Sequence, residues 1–270
     1  MYPCTNRPSA EAILAAVPGL APYARPAVVL RPAPGASAVR DSSVGGPLLW
    51  PPDEPWPHCS VPDEQEPSGL PPVAMVPVVQ VFRRDAPGDW WPEGADVFQL
   101  LWCPNTHWDP PAPQADVSPV VEVRWRRAAD LPPEPVPVAV PAPVRQEDED
   151  YGFSPRPCTL TPVPLTDFPH PKELPDVVRA GVERLVAETG AGEGRGDVVT
   201  RVAGCKFGGW PTWHLSDPWD VRCRECDAAM ELLFTVASDR TTRITVGRWG
   251  DLRVFSCPRD IRHGYEFDVH

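Results

Sequence analysis

The sequence predicts a β-rich α+β fold made of two similar halves with few, short helices. Three observations predict it. Proline fills 40 of 270 positions; lacking an N–H and fixed in φ, it is excluded from helix interiors and central strands, which leaves little room for long helices. Apolar and polar residues alternate over short windows, the period of a strand with one wet face. A series of Gly-Gly, Trp, Cys, strand and Cys-Pro followed by His occurs twice in the same order. Apolar residues make up 42% of the chain, enough to build a core.

Residues 9–17 predict a helix, with Ser9 as cap, Glu11 in the first turn and Pro18 as stop. Residues 27–30 read as a strand, followed by a loop that runs through Gly45-Gly46-Pro47 to Leu48-Leu49-Trp50. The stretch 51–72 is rich in Pro, Asp, Glu and Ser and reads as loop. Strands follow at 76–82, where Pro77 predicts an edge or a bulge, at 97–102 and at 120–126. The basic residues Arg124, Arg126 and Arg127 alternate with Val121, Val123 and Trp125, so they read as the wet face of that last strand. Residues 131–157, proline-rich and then acidic, predict a spacer between a first half (1–130) and a second half (158–270). Leu174, Val177, Val178, Val182, Leu185 and Val186 fall at helical spacing and predict an amphipathic helix whose stripe is core. The glycine-rich segment 190–196 follows a helix and lacks Gly-Lys-Ser/Thr, so it reads as a connection rather than a phosphate loop. Strands close the chain at 231–237, 243–246 and 252–255.

The repeated series can be aligned residue by residue. Gly45-Gly46 to Trp50, Pro55-Trp56 and Cys59 match Gly208-Gly209 to Trp213, Pro218-Trp219 and Cys223. A strand then follows in each half, and each ends in Cys-Pro and a His: Cys103-Pro104 and His107, Cys257-Pro258 and His263. Such order-preserving matches predict an internal duplication.

The same residues carry the metal chemistry. Cys223-Arg224-Glu225-Cys226 sets two thiols on one turn, and Cys257 and His263 come from a strand end. Two ligands from a turn and two from a strand end form ribbon-type zinc sites, and tetrahedral zinc accepts three Cys and one His. His214 and His270 are alternative fourth ligands. Four protein donors close the ion and make it structural, which argues against a metallohydrolase. In the first half Cys59, Cys103 and His107 remain, but Pro62 stands where the second turn Cys would be; a second metal there would draw on His58. Reduced, buried thiols are the competing reading at both places.

Other chemistry is sparse. There is no Gly-x-Ser-x-Gly and no His-Glu-x-x-His, and no His-x-Glu of the kind zinc deaminases need, so no catalytic residue is assigned. Asp53, Glu54 and Asp217 read as turn caps, and Cys205, beside Lys206, as a packing residue rather than a nucleophile. The net charge of −12 disfavours nucleic acid and suits a basic protein partner. Trp50, Trp56, Trp213 and Trp219 are the candidate binding surface. The absence of a secretory segment, of a run long enough to span a membrane, and of a disulfide-type setting predicts a cytoplasmic protein.

Lys206-Phe207-Gly208-Gly209-Trp210-Pro211, Cys223-x-x-Cys226 with Met230-x-Leu232-Leu233, and Trp249-Gly250-Asp251 leading to Phe255-Ser256-Cys257 resemble the bacterial YwqG-like family, a domain of unknown function. Ser43-Val44-Gly45-Gly46-Pro47 to Trp50-Pro51 is similar to that family's first half, so the likeness covers roughly residues 28–270. A more distant likeness is to the C-terminal domain of programmed cell death protein 2, from which this chain departs by carrying Cys257-Pro258 and His263 where that group has further Cys. The resemblance implies no established activity. With the acidic surface and the Trp-rich loops, its chaperone-like or immunity-like hint points to a non-enzymatic binding module, to which the Cys/His spacing adds a structural zinc. The alternative is an enzyme acting on a small molecule in a cleft between the halves.

Overall fold

The computed structural model describes residues 7–61, 72–131, 153–189, 199–200, 202–213 and 217–269. The predicted spacer falls largely outside these residues, as do the glycine-rich segment, Pro62, His214 and His270. Twelve strands are present among the described residues: β1 (Arg25–Pro34), β2 (Ser43–Val44), β3 (His58–Cys59), β4 (Val73–Ala74), β5 (Val76–Phe82), β6 (Val97–Trp102), β7 (Val121–Arg126), β8 (Cys158–Asp167), β9 (Lys206–Gly208), β10 (Glu231–Ala237), β11 (Asp251–Ser256) and β12 (Tyr265–Val269). Two α-helices, α1 (Ala10–Ala16) and α2 (Asp176–Glu188), and short 3₁₀ turns complete the chain. The fold is thus β-rich with few, short helices. No helix of the described residues is long and apolar enough to cross a membrane.

Ten strands form one sheet in the order β12-β11-β10-β9-β1-β8-β2-β5-β6-β7. Read from either end, each second-half strand is answered by a first-half strand, and β1 and β8 meet in the middle. The exchange is crosswise: β1 pairs with β9 of the second half, and β8 pairs with β2 of the first. The register obeys the same relation. Val28 faces Pro164 and Pro34 faces Cys158 in the central pair, while Val28 also faces Phe207 and Cys158 also faces Val44. Register shifts fall between Pro77 and Val79 against β6, and between Leu232 and Phe234 against β11. The bulge predicted at Pro77 is therefore present, and its partner half carries one at the matching place.

Both Gly-Gly turns lie in the left-handed region, at φ +71° and +80° for Gly45 and Gly46 and +64° and +73° for Gly208 and Gly209. Close approach adds to the demand. A Cβ on Gly45 would lie 2.8 Å from the Pro155 carbonyl oxygen, and one on Gly209 2.4 Å from Asp167 Oδ2. Only glycine meets both conditions without strain.

The sheet is nearly closed. Trp125 Nε1 of β7 donates to the Tyr265 hydroxyl of β12 at 2.6 Å, and Phe267 N of β12 donates at 3.2 Å to Pro113 O in the connection between β6 and β7. One core fills the interior from both halves: Phe98 and Trp91 of the first pack on Phe207 and Phe234 of the second, with Phe207 and Phe234 centroids 4.7 Å apart. A smaller core of Ile13, Leu20, Phe168 and Val182 joins the two helices.

Several expectations change. Ser9 does cap α1, accepting from Ala12 N. In α2, however, Val177 is 87% exposed and so lies off the buried stripe. Residues 243–246 form no strand: Arg243 lies in a turn at φ +58°, and Ile244 makes only an isolated bridge to Asp239. β1 is longer than its apolar run, while β8 and β12 carry too much proline or polarity to read as strands. Arg126 is not on a wet face. It makes two hydrogen bonds to Glu54, at 2.7 and 2.8 Å, and lies over the Trp50 ring at 4.2 Å.

Candidate metal centre

The paired cysteines sit on a turn that the backbone closes tightly. Met230 N donates to Val221 O, Cys223 N to Ala228 O and Asp227 N to Cys223 O, with Asp227 at φ +56° completing the reversal. Cys257 is the first residue after β11, so sheet pairing fixes its position. His263 ends a 3₁₀ turn, Ile261–His263, whose N-cap Asp260 accepts from Arg262 N at 2.9 Å. These three elements bring Cys223, Cys226, Cys257 and His263 together, with one ligand atom of each within 4.8 Å of all the others.

The spacing suits an ion rather than a covalent bond. Cys226 Sγ and Cys257 Sγ are 3.6 Å apart, and Cys223 Sγ lies 3.6 Å from His263 Nδ1. Donors at zinc–ligand distances of ~2.0–2.3 Å around a tetrahedral centre lie about 3.5–3.8 Å from each other. A disulfide would need ~2.05 Å. The protonation pattern also favours a cation. Burial pushes the Cys257 thiol up, but the backbone N–H groups of Asp260 and Arg259, with Cys226 and His263, more than offset this and set it at about 6. Ala228 N–H pulls Cys226 down, yet desolvation and then the adjoining Cys257 and Cys223 thiols hold it above its ordinary value. Cys226 and Cys257 thus share negative charge that a divalent ion would balance. Cys223 and Cys257 are buried, while Cys226 and His263 are partly exposed. The chemistry of the donor set fits a metal.

The first half holds a second, smaller cluster. Cys59 on β3, Cys103 immediately after β6, and His107 in the His107–Ser118 bridge lie within 4.8 Å of one another, all buried. Cys59 Sγ is 3.6 Å from His107 Nε2. The hydrogen bond from Cys103, with help from His107 and Val61 N–H and against the effect of burial, sets the Cys59 thiol at about 5. His58 lies outside this cluster: its side chain is exposed, with Nδ1 2.8 Å from Trp56 O. The reason is the strand period. Adjacent residues of β3 point to opposite faces, so Cys59 inward means His58 outward.

The proposed tryptophan surface is half interior. Trp50 and Trp213 are 2% and 9% exposed, each under a guanidinium, Arg126 at 4.2 Å and Arg253 at 4.3 Å. Each then contacts the second Trp of its half, Trp56 at 4.8 Å and Trp219 at 6.5 Å between centroids. Trp219 remains 51% exposed. The loop carboxylates are engaged: Glu54 binds Arg126, and Asp217 pairs with Lys172. Cys205 is a packing residue, since burial pushes its thiol up to about 12. Its neighbour Lys206 points elsewhere, donating to Asp167 Oδ2 at 2.7 Å and Trp210 O at 2.6 Å with no exposed side-chain surface.

A cleft of about 490 Å³ opens beside the four-ligand cluster. Both halves line it, with Arg25, Asp89 and Trp90 from one and Glu231, Arg259 and Asp260 from the other; Cys257 lies in its wall. Sequence reasoning missed the Trp90–Trp91 side of this cleft. The signal available was Asp89-Trp90-Trp91-Pro92, a third Trp-rich loop that has no partner in the repeated series. No family model matches the chain, and no curated protein matches it.

Proposed function

We propose that this protein is a non-enzymatic binding module, with its second half pinned by a structural zinc ion, that holds a basic protein partner as a chaperone or an immunity protein does. The observation that carries the reading is the convergence of Cys223, Cys226, Cys257 and His263 from three separate elements. Three thiolates and an imidazole are a borderline-soft, four-donor set suited to zinc, and four protein donors leave no open position for a water. Zinc here would tie the turn after Val221 to the end of β11 and hold the wall of the adjoining cleft.

The net charge of −12 favours a cationic partner. Trp219, with Trp108 and Trp249 also about half exposed, offers aromatic anchors of the kind that dominate protein interfaces. The motif likeness to the YwqG-like family and, more distantly, to the programmed cell death protein 2 domain points the same way. We read the two halves as products of an internal duplication, which the matched strand order and register shifts favour. The seven described cysteines are free thiols, which suits a cytoplasmic setting.

The enzyme reading draws on the cleft, which brings both signs of charge together between the halves. Affinity capture from the native host, with wild type beside Trp219→Ala and Cys223→Ser, separates the two. A basic protein recovered with wild type and reduced with Trp219→Ala supports binding. Folded wild type that recovers nothing above background overturns it. Metal content of the same preparation, purified without chelator, tests the zinc: under half an equivalent at the second-half ligands counts against it.

A further inference from the structure

The first-half cluster repeats the second-half cluster's construction. Cys59 follows His58, which pairs with Ala74, and Met75 N donates to Pro57 O. Cys223 follows Arg222, which bridges to Ala229, and Met230 N donates to Val221 O. Cys103 and Cys257 each follow the last residue of the strand paired with the bulged one. His107 and His263 each lie on the loop just beyond. The same frame therefore delivers Cys, Cys and His to one point twice. Only the fourth donor differs, because residues 60–72 contain neither Cys nor His to answer Cys226.

We propose that Cys59, Cys103 and His107 bind a second metal ion of the zinc class, held by three donors among the described residues. The geometry carries this: Sγ and Nε2 3.6 Å apart, all three ligand atoms within 4.8 Å, and side-chain exposures of 5%, 1% and 2%. Two thiolates and one neutral imidazole balance a divalent charge, so a buried ion at this point leaves no net charge in the core, whereas two thiolates alone would be costly there. Three donors instead of four predict a weaker site than the one at Cys223. The ion would also bind three separate elements, β3, the end of β6 and the His107 bridge, into one unit. This inference stands apart from the second-half zinc, and each site has its own variants.

Metal analysis of the full chain, purified without chelator under reducing conditions, tests it. Wild type should carry two zinc equivalents, and Cys103→Ser and Cys257→Ser one each. Graded chelation should remove one equivalent before the other, and Cys103→Ser should lack the early-leaving one. Wild type with a single equivalent that Cys103→Ser retains overturns the proposal, as does a second equivalent that survives Cys103→Ser. Should Cys103→Ser fail to fold, cobalt titration of metal-stripped wild type decides. Two binding steps, each with thiolate-to-cobalt absorption, support the proposal; one step overturns it. Loss of the ion in Cys257→Ser alone concerns only the second-half site.

Discussion

Asp167 and Lys206 show what the Gly-Gly motif is for at the scale of single residues. Asp167 Oδ2 accepts from Lys206 Nζ at 2.7 Å and from Trp210 N at 2.9 Å, and Gly209 leaves the space in which it sits. Both charged side chains are fully buried. Removing one partner of a buried pair strands the other charge, so Lys206→Met should lose about 3–5 kcal/mol in urea unfolding. The double variant Asp167→Asn with Lys206→Met should recover part of that loss; equal losses in the single and double variants would defeat the argument. Lys206-Phe207-Gly208-Gly209 stood out in the sequence, but its reason did not, because the partner carboxylate comes from β8, 39 residues away. His58 shows the opposite case. Spacing alone offered it as a ligand, and the alternation of β3 turns it to solvent.

Among the elements, β1 and β8 explain how proline can enter the middle of a sheet. Pro26, Pro32, Pro34, Pro162 and Pro164 all occupy even positions. In β1 the even N–H groups face β9, as Leu30 N donating to Cys205 O shows, and the odd ones face β8. β9 pairs only with residues 27–29, and β2 only with 158–159, so every proline falls where the neighbouring strand has ended. Val29→Pro should therefore break a ladder hydrogen bond and cost about 3 kcal/mol or more, while Pro164→Val should leave stability within about 1 kcal/mol. Chemical denaturation of both variants reads this contrast. Composition alone misjudged these strands because it counts prolines and not the direction in which their missing N–H would point. The nearly continuous apolar runs of β5, β6 and β10, by contrast, were legible to the residue.

The edge strand β7 adds a pH dependence. The Arg126 hydrogen bond holds Glu54 below its ordinary 4.5, against a smaller opposing effect of burial. Below 4.5 the unfolded carboxyl takes up a proton that the folded one resists, so stability falls with falling pH until the folded group titrates too. Glu54→Gln should flatten this acid slope of the melting temperature and leave its shape above pH 6 unchanged. An unaltered slope would mean that the Arg126–Glu54 pair does not hold β7 to the Trp50 loop.

At the scale of the whole molecule, the crosswise pairing makes each half incomplete without the other. β1 closes the second half's strands and β8 closes the first's, and the aromatic core of Phe98, Phe207 and Phe234 has no owner in either half alone. The repeated motifs predict two similar units, yet nothing in their spacing tells which first strand belongs to which sheet. That choice depends on non-local pairing, which sequence periodicity does not encode. The pairing has a measurable consequence. A protease site placed between residues 131 and 153 severs the chain without touching any described strand. After cleavage the two pieces should still elute together in size-exclusion chromatography under native conditions, because β1–β8, β1–β9 and β2–β8 hold them. Each piece expressed alone should expose the unpaired edge and core face that the other covers, and should aggregate or bind a hydrophobic dye. Mixing the separately refolded pieces should restore the compact species. Two stable, independently folded monomers would instead mean that the halves are separate domains and that the shared sheet is not the unit of stability.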